Sequence, residues 1–354
     1  MNQIIKPVWK TLCNAGVVSG DVPDIDHIDS PWYVKVLMAF SGWLASLFLF
    51  GFLAVGFETI LDSSLSAFIT GGIVIGSAYF VLRIPKNEFV EHIGLALSLA
   101  GQALIAWAIF KAFRQDYAVV WGLVATAQML LAIIMPNFIH RVFSACLSAF
   151  AFSISLSNIG APYIFSSIVM FVVAWLWLNE FRFVKHMRKI RAIAYGLVLA
   201  LVQLKGSVLF GGTWKLSNSQ SSQWIAPWMA EVLASTVLLY VVWQLLDRHR
   251  QHLSNRMFTM VLVGTVLLCA ASMEATGITV GVTIIILGFS SSNRILIGLG
   301  VVSLLFYISA YYYLLDITLL DKSFVLFGVG AILLLARWVM LRVVSVDKEE
   351  SHAR

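Results

Sequence analysis

The sequence predicts an all-α, polytopic transmembrane helical bundle of about twelve spans with both termini in the cytoplasm. Three observations carry that expectation. Of 354 residues, 12% are charged and 60% are apolar, and the mean hydropathy is +0.89. Soluble domains carry roughly 25% charged residues, so this chain lacks the polar surface that water requires. The apolar residues also fall in runs close to the ~20 residues that a helix needs to cross ~30 Å of hydrocarbon. Finally, the basic residues sort by loop parity, as cytoplasmic loops require.

Taken in order, the first run, 34–57, ends at an acidic pair, Glu58 and Asp62, and the second, 64–82, ends at Arg83 and Lys86. Runs three and four, 89–110 and 117–135, are separated by Lys111 and Arg114. The fifth, 138–156, opens on His140 and Arg141, and the sixth, 161–178, leads into a basic stretch at 179–189. The seventh, 190–210, precedes a Gly/Ser/Asn/Gln-rich connection at 211–224, and Pro227 marks the first turn of the eighth, 225–246. Runs at 256–273, 275–290, 293–315 and 323–344 complete the set. The run 275–290 is the weakest, short and carrying Thr276, Thr279 and Thr283. Continuous apolar runs exclude a membrane barrel, whose strands alternate, and open sheets have unsatisfied edges in lipid.

With the N-terminus inside, Lys111, Arg114, Lys205, Lys215 and Lys322 fall on the outer side, and the other 19 of the 24 Lys and Arg fall inside. That asymmetry orients the bundle and requires an even number of spans. It also accounts for the basic excess without nucleic acid. The division is then a cytoplasmic segment 1–33 with a short amphipathic helix, a membrane domain 34–344 and a cytoplasmic tail 345–354. The first long apolar run begins only near Val34, so no signal peptide is expected.

Motifs that would name a reaction are missing. There is no His-Glu-x-x-His, no glycine-rich phosphate loop and no Gly-x-Ser-x-Gly, and Cys13, Cys146 and Cys269 make no metal or disulfide pattern. No catalytic residue, metal or cofactor is expected. Trp175, Trp177, Trp243 and Trp338 read as an inner aromatic belt, with Trp214, Trp224, Trp228 and Tyr311–Tyr313 as an outer one. Gly72-x-x-x-Gly76 and Gly277-x-x-x-Gly281 read as close helix contacts. His92 and His140 read as helix-end polar residues.

Charges inside the runs are the best functional lead, because a charge in hydrocarbon is costly and normally paired. Lys205 lies about five residues inside the seventh run and Glu231 about four after Pro227. Antiparallel neighbours would bring them to one depth as an ion pair. Gln102 and Gln128 lie deep in runs three and four, either as glue between helices or along a polar path. Glu58, Asp62, Glu274, Asp316 and Asp321 form a candidate acidic cluster at the outer helix ends.

Two stretches carry a resemblance. The first is Pro31-Trp32-Tyr33 followed by Phe40-Ser41-Gly42-Trp43-Leu44-Ala45 and Phe50-Gly51-Phe52. The second is Tyr311-Tyr312-Tyr313-Leu314-Leu315, Thr318-Leu319-Leu320, Lys322-Ser323 and Gly328-x-Gly330. The chain resembles a bacterial family of polytopic inner-membrane proteins built on a domain of unknown function. Genes of that family commonly lie beside those for small membrane proteins with a GDYXXLXXXD motif. The resemblance implies the inner membrane and a small membrane-protein partner, and no reaction.

The expected function is a non-enzymatic transporter-like permease or the membrane subunit of a small complex, with the lipid bilayer as its surroundings. A membrane enzyme acting on a lipid-linked sugar at the outer face is the alternative, motivated by Glu58, Asp62 and the Trp-rich 211–224 connection.

Overall fold

The computed structural model describes residues 61–83, 88–161, 163–209, 227–250, 255–273 and 277–314, with scattered positions before and after. These residues form ten α-helices and one 3-10 helix, and no strand occurs among them. The helices are α1 (Ser64–Arg83), α2 (Glu88–Ala112), α3 (Tyr117–Ile134), α4 (Phe138–Ile159) and α5 (Ile164–Leu178). After the 3-10 helix Glu180–His186 come α6 (Met187–Leu209), α7 (Pro227–Arg248), α8 (Asn255–Ala271), α9 (Ile278–Ser290) and α10 (Arg294–Leu314). Seven of them, α1–α4, α6, α7 and α10, are long and apolar enough to cross a membrane. The chain is a multi-pass integral membrane protein. Half the positions of the expected run 34–57 are described, all helical, and of 323–344 only Ser323, Phe324, Phe327 and Leu334 are described.

Local chemistry sets the helix ends. The Asp116 carboxylate accepts from the Val119 N–H at 3.1 Å and starts α3. Asn137 accepts from the His140 N–H at 3.0 Å and starts α4, which stops at Gly160 in the left-handed conformation, φ 101°. Asn293 starts α10 by accepting from Ile295 and Leu296. Each cap satisfies a backbone group that a helix end leaves open. The 13-residue α9 spans only about 20 Å. Its Thr279, Val280, Thr283, Ile284 and Leu287 are buried in the bundle, where short helices are tolerated because protein rather than lipid surrounds them.

Lipid offers no hydrophobic drive for helix association, so close approach at small residues does most of the packing. Gly71 of α1 faces Gly101 of α2, and a Cβ on either would lie 2.9 Å from the other's carbonyl oxygen. A Cβ at Gly72 or Gly76 would meet nothing within 4 Å among the described residues, so the contact of α1 with α2 does not use that motif. The buried face of α1 is Ala67, Gly71, Ile75 and Ala78, one residue out of phase with the motif. The Gly277/Gly281 pair does pack, against Tyr307 and Leu304 of α10. The main core joins α5, α6, α7, α9 and α10 through residues such as Met170, Val173, Leu201, Leu238, Ile284 and Leu296. Trp177 belongs to it, 4% exposed and edge-on to Tyr195 at 5.2 Å, rather than to an interfacial belt. Trp228 and Tyr313 are exposed, as belt residues are.

Candidate functional site

Two buried polar clusters sit in this apolar bundle. The first lies where α6 ends and α7 begins. Lys205 is four residues from the end of α6 and Glu231 is four from the start of α7, so antiparallel packing puts them at one level. The Lys205 ammonium donates to Glu231 Oε1 at 2.6 Å, with side chains only 2% and 9% exposed. Around them the helices are tied by polar links. Ser167 of α5 donates to the Ala230 carbonyl at 2.8 Å, and Tyr307 of α10 donates its hydroxyl to the Val202 carbonyl at 3.0 Å, one turn below Lys205. Gly206 leaves room for the Phe306 ring, which a Cβ there would meet at 3.1 Å.

One carboxylate oxygen, Glu231 Oε2, and the Ser235 hydroxyl one turn along α7 are buried with no hydrogen-bond partner among the described residues. Such groups are costly unless something else completes them. The pair is therefore only half satisfied. It offers an acceptor oxygen and a hydroxyl on one face of α7, beside a fixed ammonium.

The second cluster lies at the start of α4, against α2. His140 is 1% exposed. Its Nε2 is 2.6 Å from the Gln102 amide nitrogen and 2.7 Å from the Ser98 hydroxyl, while Nδ1 is 3.3 Å from the Ser144 hydroxyl. Asn137, whose carbonyl caps α4, donates its amide to the exposed Glu91 of α2. His140 is thus the hub of a buried network between two helices, not a solvated helix end. The helix-end expectation overlooked that Asn137, the cap, puts His140 in the first turn with its ring toward α2.

A family model, that of a domain of unknown function, DUF4401, matches residues 31–343. The chain belongs to the DUF4401 family. No curated protein and no solved structure matches it. In this DUF4401 chain the match takes in all ten described helices and both polar clusters.

The other expected site residues are placed as follows. Gln102 joins the His140 cluster, whereas Gln128 of α3 is buried with its carbonyl oxygen unpartnered among the described residues, as is that of Gln102. Both line a narrow groove between α2 and α3. In the acidic set, Asp62 is exposed, and its backbone carbonyl accepts from Lys111 at 2.7 Å. Glu58, Glu274, Asp316 and Asp321 lie outside the described residues, as does the connection 211–224.

Sequence reasoning missed a third polar contact. Glu180, 2% exposed at the start of the 3-10 helix, pairs with Arg191 of α6. Beside it Asn293 donates to the Tyr195 hydroxyl at 2.6 Å, and Arg248 donates to the Leu178 carbonyl at 2.8 Å. The pair closes the 179–191 segment on itself, and the two bonds tie its flanks, Leu178 and Tyr195, to α7 and the start of α10, while Phe181 and Val184 stay exposed. Its available signal was the lone acidic residue in a basic stretch.

Proposed function

We propose that this protein is a transporter-like permease of the bacterial inner membrane, with twelve spans and both termini in the cytoplasm. The observation that carries the reading is the half-satisfied Lys205–Glu231 pair, buried between α6 and α7 with Glu231 Oε2 and the Ser235 hydroxyl unpartnered beside it. Ionisable groups in a membrane interior mark ion and substrate paths more often than they stabilise a fold, and a buried pair adds little net stability. A purely structural pair would be expected to have its remaining acceptor completed.

Supporting the span number, the ten described helices follow one another in the order of ten of the twelve sequence runs. The 19-to-5 division of basic residues supports the orientation.

The test is electrical. The full chain, reconstituted in liposomes on a solid-supported membrane, should give transient currents on a jump in proton or sodium concentration. Lys205→Met should reduce their peak at least tenfold. Wild-type currents no larger than those of empty liposomes, or Lys205→Met currents equal to wild type, would contradict the proposal.

A further inference from the structure

Consecutive helices α2 and α3 are joined by a short turn, yet they pack together far more thinly than α1 with α2 or α3 with α4. Two openings follow one another along the seam between them. Near the turn is a crevice of about 210 Å³ lined by Trp107, Phe110, Lys111, Arg114, Tyr117 and Val120. Deeper, the seam continues as a shallow groove walled by Ile105, Ala106 and Ile109 of α2 and by Val124, Ala127 and Leu131 of α3. Gln102 and Gln128 stand near its inner end, with Leu131 one turn beyond Gln128.

The chemistry of the two parts differs. The crevice holds two cations within four residues, and neither meets a carboxylate in a salt bridge among the described residues. The Lys111 ammonium is fixed in place by the carbonyls of Leu61 and Asp62, at 2.6 and 2.7 Å, which orient it without neutralising it. The carboxylate of the turn, Asp116, is engaged in capping α3. By loop parity these cations also stand on the side of the membrane that is poor in basic residues, where the general bias gives no reason for them. Trp107 and Tyr117, both about two-fifths exposed, flank them as amphipathic rings do at headgroup level.

Dimensions select among anions. Lys111 and Gln102 are nine residues apart on α2, about 14 Å along its axis. One leaflet of hydrocarbon is about 15 Å deep, half of the ~30 Å core. A cationic, aromatic mouth above an apolar groove one leaflet long has the outline of a single phospholipid.

We propose that the α2–α3 seam is a binding site for an anionic glycerophospholipid. Its phosphate lies between Lys111 and Arg114, and one acyl chain lies over the shallow groove along Ile105, Ile109 and Val124, down to the level of the two glutamine amides. The lipid fills the gap that thin packing leaves between the two helices and compensates both cations. This site is independent of the Lys205–Glu231 pair.

Native mass spectrometry of the full chain, purified in mild detergent and supplied with phosphatidylglycerol, tests the proposal. One phosphatidylglycerol should remain bound after washing, in at least tenfold preference to phosphatidylcholine. Arg114→Glu, which reverses an exposed charge and leaves the helices intact, should cut retention at least tenfold. Ala127→Trp, which fills the groove and keeps both cations, should cut it to a similar extent. Retention at the wild-type level in either variant, or no retention by the wild type, would overturn the site. Displacement of the lipid by excess inorganic phosphate would overturn the acyl-chain part and leave a simple anion site.

Discussion

Lys205→Met and Glu231→Gln are each expected to destabilise the folded protein by about 3–5 kcal/mol, while the double variant recovers a large part of that loss. Removing one partner strands the other's charge at 2% or 9% exposure in an apolar bundle. Removing both leaves two neutral groups of similar size and no stranded ion. The second oxygen of Glu231 sharpens the effect, because with Lys205 gone neither oxygen has a partner among the described residues. Unfolding midpoints of the four proteins in one detergent give the coupling energy. A coupling below about 0.5 kcal/mol would mean that the pair acts as two independent polar groups.

The second large effect is expected at His140. His140→Leu keeps an apolar side chain of similar bulk but leaves the Ser98 hydroxyl and the Gln102 amide without their ring partner. Each stranded buried group costs about 1–3 kcal/mol, so the loss should be on the order of 3 kcal/mol. Ser144→Ala should cost far less, because its contact with the ring is long, at 3.3 Å. Adding Gln102→Leu to His140→Leu should restore part of the stability, since an apolar pair has no unmet hydrogen bond. Thermal unfolding in detergent measures all three. A His140→Leu protein as stable as wild type would show that the ring is not the hub of this cluster.

The two clusters differ in how far the sequence reveals them. Lys205 and Glu231 stand alone in apolar runs and at matching distances from consecutive helix ends, so charge and rise per residue suffice to bring them together. His140 stands beside Arg141 at a helix start, where a polar residue needs no explanation. Only the rotation of α4 against α2 turns its ring inward, and no local pattern encodes that rotation. Rotation also decided the glycines. A Gly-x-x-x-Gly spacing marks a smooth stripe on α1 but not which stripe meets α2, and the neighbouring stripe through Gly71 is the one used. Trp177 was misplaced for a related reason: height along a helix suits a belt, yet its direction puts it against Tyr195. Helix existence and order follow from apolar length, whereas packing faces depend on partners far away in the chain.

The central claim is that the Lys205–Glu231 site opens to water in a working state. Thiol accessibility at Ser235 tests it most directly, because that hydroxyl is buried and unpartnered beside Glu231. Ser235→Cys would be made in a chain whose Cys13, Cys146 and Cys269 are replaced by alanine, and the protein reconstituted in liposomes. A small, membrane-impermeant methanethiosulfonate would then be applied. The account predicts steady modification of the introduced thiol in the folded protein, faster when a proton or sodium gradient drives the cycle. A thiol that stays unmodified under every gradient, and reacts only after denaturation, would contradict it and leave the pair a sealed structural contact.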